Sequence, residues 1–92
     1  MNPPAFYCYM VRCRDGSFYT GWTLDPERRV KQHNAGKGAA YTRLHRPVEL
    51  VYIEAQPDRG SAMRRERRIK MMTHSQKETM ARSFEKAKAE NG

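Results

Sequence analysis

The sequence contains two cysteines and no apolar run near the roughly 20 residues needed to span a bilayer. Cys8 and Cys13 are an odd number of positions apart in one predicted strand, so they project from opposite faces and cannot pair. Their spacing also matches no zinc-binding or redox motif. The N-terminus has neither the basic nor the apolar region of a secretory signal. We therefore expect a protein of the reducing cytoplasm, without disulfides or a membrane span.

Acidic residues are absent from one long stretch of the chain and nearly absent from another. None lies between Arg28 and Val48, and Glu66 is the only one between Arg59 and Lys77. Overall, 18 lysines and arginines oppose 10 acids, which gives a net charge of +8. Basic clusters neutralise phosphates and release counterions, so they favour a nucleic-acid partner. The alternative is a solvated basic face; a membrane surface is less favoured because no basic helix has a bulky apolar face.

The length of 92 residues predicts one small domain with a modest core. We expect this domain to span residues 1–92, with its core over about 5–84 and a frayed tail beyond Lys88.

Residue patterns predict an α/β (α+β) fold with the element order ββαβαα: a small, three-stranded, mostly antiparallel sheet flanked by helices. Asp15-Gly16 predicts a hairpin turn, and Asp25-Pro26 predicts a helix start. A capping box at Ser75–Glu78 predicts the start of the last helix. The segment Gly36–Pro47 is predicted to be a basic, glycine-containing loop. The predicted strands are Phe6–Cys13, Phe18–Trp22 and Val48–Glu54, and the other helices run to about Asn34 and from about Ser61 to Met72.

An ordered series of motifs runs through these elements. Tyr7-Cys8-Tyr9 precedes Tyr19-Thr20-Gly21, and the segments Thr23–Val30, Gln32–Gly36 and Ala62–Lys70 follow. In this order and spacing the series resembles the GIY-YIG nuclease family, especially its small single-domain bacterial branch, the UPF0213-like proteins. The resemblance covers about Phe6 to Met80 and implies metal-dependent hydrolysis of phosphodiester bonds in nucleic acid, DNA more than RNA.

The resemblance also implies roles for five residues. Tyr9 and Tyr19 would handle water and proton transfer, and His33 would assist them. Arg29 would clamp the phosphate. Glu66 would hold a single divalent ion, Mg²⁺ or Mn²⁺.

Some positions depart from the family pattern. Tyr7 and Cys8 replace the glycine and isoleucine of the first triplet, and Thr20 replaces the isoleucine of the second. Trp22 stands where several members carry lysine. Two alternative functions therefore stay open: a catalytically weak or inactive nucleic-acid-binding module, and a protein-interaction domain.

The two tyrosines can share one site only if they lie on the same face of the sheet. A two-residue turn at Asp15-Gly16 would put them on opposite faces. A loop with an odd number of residues, Arg14–Gly16 with Gly16 in the left-handed region, would put them on the same face. The nuclease hypothesis requires this odd loop.

The remaining candidates have both a catalytic and a structural interpretation. Arg29 and His33 share a helical face, where they could bind a phosphate and a water molecule. A solvated arginine and a histidine at the helix terminus would give the same sequence pattern. Glu66 shares its face with Ala62 and Ile69, so it should meet either a metal ion or a partner such as Lys70.

Further positions are expected to contact nucleic acid. Gly21 would allow a close approach, and Tyr41 would stack on a base, although a plain solvated loop is the alternative. The full set is Gly21, Lys37, Tyr41, Arg43, Arg46 and Arg65.

Overall fold

The computed structural model describes residues 5–91, which form seven elements in the order ββααβαα. The predicted fold class is confirmed, but the segment expected to be a plain loop contains an extra short helix, α2. This helix closes over α1 and supplies a residue to the site described below. The strands are β1 (Phe6–Arg12), β2 (Phe18–Thr23) and β3 (Glu49–Gln56), and the helices are α1 (Pro26–Asn34), α2 (Ala40–Leu44), α3 (Arg59–Lys70) and α4 (His74–Asn91).

The sheet has the strand order β2-β1-β3, and both pairings are antiparallel. β1 lies in the centre because its middle residues, Cys8 to Val11, are apolar or aromatic on both faces and all buried. β2 and β3 each keep one unpaired edge. The edge of β2 forms one side of the site.

The hairpin between β1 and β2 has the odd register that the nuclease hypothesis requires. Gly16 takes a left-handed conformation with φ of 86°, and the amide of Cys13 donates to the carbonyl of Ser17 at 2.7 Å. Tyr9 therefore pairs with Gly21, and Tyr19 pairs with Val11. Because Tyr9 and Val11 share a face, both tyrosines lie on the same side of the sheet. The structure thus meets this requirement of the nuclease hypothesis.

The two faces of the sheet carry separate cores. Cys8 and Met10 pack with residues of α3 and α4, whereas Tyr9, Val11 and Cys13 pack on the face that α1 covers. Cys8 and Cys13 are free thiols on opposite faces, as predicted.

The capping interactions confirm one predicted helix start and correct another. Asp25 accepts from the amide of Arg28 at 3.1 Å, as expected for the start of α1. The capping box of α4, however, is Thr73 with Gln76, whose side chains and amides bond reciprocally at 2.9 and 3.1 Å. The predicted box was wrong because the helix begins earlier, and the carboxylate of Glu78 binds the guanidinium of Arg12 instead.

Helix α4 continues to Asn91, and the expected fraying beyond Lys88 stays a prediction. Within residues 5–91, no helix combines the length and the apolar character that crossing a membrane requires.

Candidate active site

The side chains of Tyr9 and His33 meet inside the core, on the face of the sheet covered by α1. The phenol oxygen of Tyr9 lies 2.7 Å from Nε2 of His33. Tyr9 is 1% exposed and His33 is 0% exposed, so bulk water does not compete for this contact. The central strand holds one partner and the last turn of α1 holds the other.

The second nitrogen of His33 is bound by a residue that the sequence patterns did not identify. Nδ1 lies 2.7 Å from Oγ1 of Thr42, which is also fully buried. Thr42 belongs to α2, inside the segment predicted as a loop. A single buried hydroxyl has no periodicity to reveal it, and only the fold of α2 against α1 brings it to His33.

The hydrogen bonds around His33 assign its tautomer. The hydroxyl of Thr42 has one proton, which it donates to the carbonyl of Ala39 at 2.9 Å. Oγ1 of Thr42 must then accept from an Nδ1–H group of His33. A neutral imidazole has one N–H, so Nε2 is the acceptor for the hydroxyl proton of Tyr9.

The electrostatic environment keeps both partners neutral. Burial lowers the pKa of His33, and the nearby charge of Arg29 lowers it further. Burial raises the pKa of Tyr9 to about 12, although the nearby guanidinium of Arg29 opposes the rise. At neutral pH the pair is therefore a phenol that donates and an imidazole that accepts.

Tyr19 and Arg29 complete the group around His33. The Tyr19 ring approaches the imidazole edge-on, with the ring centroids 5.3 Å apart. Arg29 also donates to the side chain of Gln32 at 3.1 Å, on the same helix. The structure thus brings four of the predicted catalytic side chains together: those of Tyr9, Tyr19, Arg29 and His33.

Two glycines make room for this group. A Cβ at Gly21 would lie 2.7 Å from the phenol oxygen of Tyr9. A Cβ at Gly38 would overlap Nδ1 of His33 and lie 2.8 Å from its Cε1. At Gly21 the close approach is made by the Tyr9 side chain of the protein itself. The expected contact of Gly21 with nucleic acid stays a prediction.

Glu66 lies on α3, which packs against the face of the sheet opposite to His33. Its carboxylate is 3.4 Å from the ammonium group of Lys70, the structural partner considered above. Its charge still acts on the central strand, where it contributes to the raised pKa values of Cys8 and Tyr9. Glu66 makes no direct hydrogen bond or ion pair with the Tyr9–His33 group in the described part of the chain.

The donor set around Glu66 fits one kind of metal site. Within residues 5–91, no cluster of three or more histidine, cysteine, aspartate or glutamate side chains could hold a metal ion. A single carboxylate suits a hard ion such as Mg²⁺, which keeps most of its water ligands and needs only one or two protein carboxylates. Glu66 is partly exposed and so remains accessible to such an ion.

The residues expected to contact nucleic acid fall into two groups. Tyr41 stacks on His45, with centroids 4.1 Å apart, and lies nearly parallel to Tyr19. Lys37, Arg43 and Arg46 are exposed. Arg65 differs, because it donates to both carboxylate oxygens of Glu54 at 2.7 and 3.2 Å. Its guanidinium is already paired within the protein.

A family comparison agrees with this arrangement. Residues 5–80 match the model of the GIY-YIG catalytic domain. The match covers most of the chain and includes every residue of the group around His33. The chain therefore belongs to the GIY-YIG family and has its nuclease-like fold.

Within that family, the chain is similar to proteins designated UPF0213, found in bacteria and archaea. It is 51% identical over 75 residues to a UPF0213 protein of Haloquadratum walsbyi, covering 82% of this chain and 84% of that protein. It is 52% identical over 71 residues to one of Staphylococcus haemolyticus, covering 77% and 87%. The solution NMR structure of a protein from E. faecalis is 42% identical, with a TM-score of 0.59 and coverage of 91% and 90%.

Proposed function

We propose that this protein is a metal-dependent endonuclease that hydrolyses phosphodiester bonds in nucleic acid, with DNA as the first substrate to test. The observation that carries the proposal is the buried hydrogen bond between Tyr9 and the accepting nitrogen of His33. A phenol that can release its proton to a neutral imidazole can take a proton from water. The basic surface supplies affinity for the polyanion.

Proton transfer would run inward from the nucleophile. The proposal requires substrate binding to admit a water molecule to the phenol oxygen of Tyr9, which is 1% exposed in the free protein. That water gives its proton to the phenol oxygen as the phenol proton passes to Nε2 of His33. The imidazole becomes positively charged and keeps its Nδ1–H bond to Thr42. The water oxygen attacks phosphorus, and the bond to the leaving sugar oxygen breaks. The negative phosphate offsets the charge that forms on buried His33.

Arg29 would bind a non-bridging oxygen of the phosphate. Its guanidinium adjoins Tyr9 and is oriented by its hydrogen bond to Gln32. A planar guanidinium can offer two N–H groups to one phosphate, which fixes the phosphorus atom relative to the attacking water. Tyr19, in edge contact with His33, would limit the movement of the ring and contact the same phosphate through its hydroxyl.

Glu66 would hold the divalent ion, either Mg²⁺ or Mn²⁺. When bound, such an ion would stabilise negative charge on the leaving oxygen. Because Glu66 and His33 lie on opposite faces of the sheet, the proposal requires the bound strand to contact both faces. The proposal requires the Glu66 carboxylate to exchange Lys70 for the ion. Because the Lys70 contact is a partly exposed pair at 3.4 Å, its loss costs little.

Thr42 would act as a positioning residue. It fixes Nδ1 of His33 as the donor, which leaves Nε2 as the only nitrogen able to accept from Tyr9. If the tautomer were reversed, His33 would present a proton to Tyr9 and could not take one.

The direct test incubates purified protein with labelled DNA and RNA in Mg²⁺ or Mn²⁺. Tyr9→Phe and Glu66→Gln serve as matched variants, because each keeps the shape of the side chain and removes its proton-transfer or metal-binding group. Cleavage by the wild type alone supports the proposal. Equal cleavage by all three proteins would indicate a contaminating nuclease and contradict it.

A nucleic-acid-binding module without turnover is the second candidate. The specific observation in its favour is that Lys70 already neutralises Glu66. Salt-dependent binding without cleavage in either metal would select this function. Absence of nucleic-acid binding near physiological salt would instead favour a protein-interaction domain.

A further inference from the structure

Helix α3 carries charge of almost one sign. Six of its 12 residues are lysine or arginine, and Glu66 is its only acid. Two of these cations are paired within the protein, Arg65 with Glu54 at 2.7 Å and Lys70 with Glu66 at 3.4 Å. A third, Arg59, lies over an aromatic ring of β2. The remaining cations are Arg64, Arg67 and Arg68.

These three arginines lie on the outward side of α3. All three are exposed, whereas Ala62 and Ile69 of the same helix are fully buried. Arg64 is three positions from Arg67 and four from Arg68, so the three side chains are neighbours on one helical face. The set Arg64, Arg67 and Arg68 is named the α3 arginine surface below.

No carboxylate of residues 5–91 forms an ion pair with the α3 arginine surface. Arg64 donates to Oγ of Ser61 at 3.2 Å, which uses one of the five N–H groups of its guanidinium. The nearby carboxylate of Asp58 accepts from the amide of Ser61 instead, at 2.7 Å. Most donors of this surface are therefore available to an external anion.

The arrangement works against the stability of the helix. Like charges three and four positions apart on a helix repel each other. The helix dipole favours positive charge in the last turn, which accounts for Arg67 and Arg68. It does not account for Arg64 in the middle of the helix, and the first turn holds Arg59 and no acid. Charges that oppose local stability are expected where they serve a function.

The chemistry of this surface suits a chain of phosphates. A planar guanidinium can offer two N–H groups to one phosphate. Arg64 and Arg68 are about 6 Å apart along the helix axis, so they can contact different phosphates of one strand. An anionic membrane is a poorer partner, because a membrane-binding helix needs a broad apolar face and the outward face of α3 consists largely of arginine.

We propose that the α3 arginine surface binds the phosphate backbone of nucleic acid beside the ion-binding residue Glu66, which directly precedes Arg67. The inference rests on the proposed function, because it takes nucleic acid as the substrate and Glu66 as the residue that holds the ion. Arg65, the residue of α3 predicted from the sequence to contact nucleic acid, is held by Glu54, and its neighbours contact the phosphates instead. Contacts to the backbone carry no sequence information, so this surface adds affinity without sequence preference.

The salt dependence of binding counts the phosphates that these arginines contact. A labelled DNA strand is titrated at several KCl concentrations, with a chelator present to prevent cleavage, and binding is followed by fluorescence anisotropy. The test variant combines Arg64→Gln, Arg67→Gln and Arg68→Gln. Each lost phosphate contact reduces the slope of log K against log salt concentration by about 0.7–0.9, so this variant should lose about 2–3 in slope. An unchanged slope would overturn the proposal.

Two controls separate a local surface from a general loss of charge. Arg82→Gln, Lys86→Gln and Lys88→Gln together remove three charges from exposed positions of α4 and should leave the slope nearly unchanged. Replacement of the three α3 arginines by lysine keeps the charges and should keep the slope. Glutamine and lysine are both good helix formers, so α3 should stay folded in each variant. An equal fall in slope in the α4 variant or in the lysine variant would contradict the proposal.

The outcomes distinguish this surface from the nuclease proposal. A fall in slope confined to the glutamine variant of α3, without cleavage by the wild type in any metal, supports the surface and contradicts the nuclease proposal. Cleavage by the wild type with an unchanged slope in that variant removes the surface and leaves the nuclease. If both proposals hold, the same variant should raise KM and keep kcat, because backbone contacts bind the substrate and the transition state alike.

Discussion

The phenol oxygen of Tyr9 lies 2.7 Å from Nε2 of His33, in a part of the core that excludes water. This contact joins the first tyrosine motif to the helix that follows the second motif. The odd register of the β1–β2 hairpin brings Tyr19 to the same face, where its ring contacts His33; an even register would turn Tyr19 away. The predictions below follow from this pair and its neighbours.

Thr42→Val should change the tautomer of His33. Valine keeps the shape of threonine but accepts no hydrogen bond, so Nδ1–H loses its partner and Nε2–H becomes competitive. The nitrogen chemical shifts of His33, measured by NMR, report the tautomer directly. Thr42→Ser should restore the wild-type shifts. Unchanged shifts in Thr42→Val would show that Thr42 does not set the tautomer, whether or not the protein cleaves nucleic acid.

Gly38→Ala should disrupt the site through overpacking. Its Cβ would overlap Nδ1 of His33, and the ring has no space to move within a closed core. Strain of this kind costs about 1–3 kcal/mol in the free energy of unfolding. Gly60→Ala is the matched control, since its Cβ would meet only the ends of the Arg64 and Asp58 side chains, at 3.3 and 3.4 Å. Denaturant unfolding of both variants tests the difference; equal stability would contradict the tight packing around His33.

Stability should fall on acidification because of His33. Its pKa in the folded protein is lowered by burial and by Arg29, so the unfolded chain takes up a proton first. The free energy of unfolding should therefore begin to decrease as the pH falls through about 6.5 and level off below the folded-state pKa. His33→Gln should remove this part of the pH dependence. A wild-type curve that is flat over this range would contradict the lowered pKa.

At alkaline pH, Tyr9 should make stability decrease as the pH rises, opposite in direction to the effect of His33 at acidic pH. Its pKa is raised from 10.0 to about 12, so the unfolded chain loses the phenol proton first. Stability should decrease as the pH rises from about 10 to about 12, and Tyr9→Phe should flatten this limb relative to the wild type. Urea unfolding at several alkaline pH values is the measurement. If the wild-type and Tyr9→Phe curves keep the same slope, the phenol is not protected by burial.

Local sequence signals predicted much of the fold because the elements have strong patterns. The Asp15-Gly16 turn, the aromatic strands and the Asp25-Pro26 helix start each depend on neighbouring residues only. The capping box of α4 was placed wrongly because two overlapping segments have suitable residues, and only tertiary contacts decide that Glu78 binds Arg12. Helix α2 was missed because five residues carry too little periodicity for recognition.

Only those site residues that belong to sequence motifs could be predicted. The motif series made the nuclease hypothesis conditional on an odd hairpin register, and the structure has that register, so Tyr9 and Tyr19 share a face of the sheet. Thr42 and Gly38 were missed because their roles arise from packing across α1 and α2, which leaves no spacing pattern in the chain. The pairing of Arg65 with Glu54 was equally hidden, since it joins β3 to α3.

Cleavage of a labelled DNA substrate in Mg²⁺ tests the central claim most directly. The wild type should cleave it, and Tyr9→Phe should lose about 10²–10⁴-fold in rate because proton transfer to His33 is removed. Glu66→Gln and the addition of a chelator should each abolish cleavage, whereas Arg65→Gln should retain it because that guanidinium is bound to Glu54. A Tyr9→Phe variant that cleaves at the wild-type rate would contradict the claim that the Tyr9–His33 pair carries the reaction.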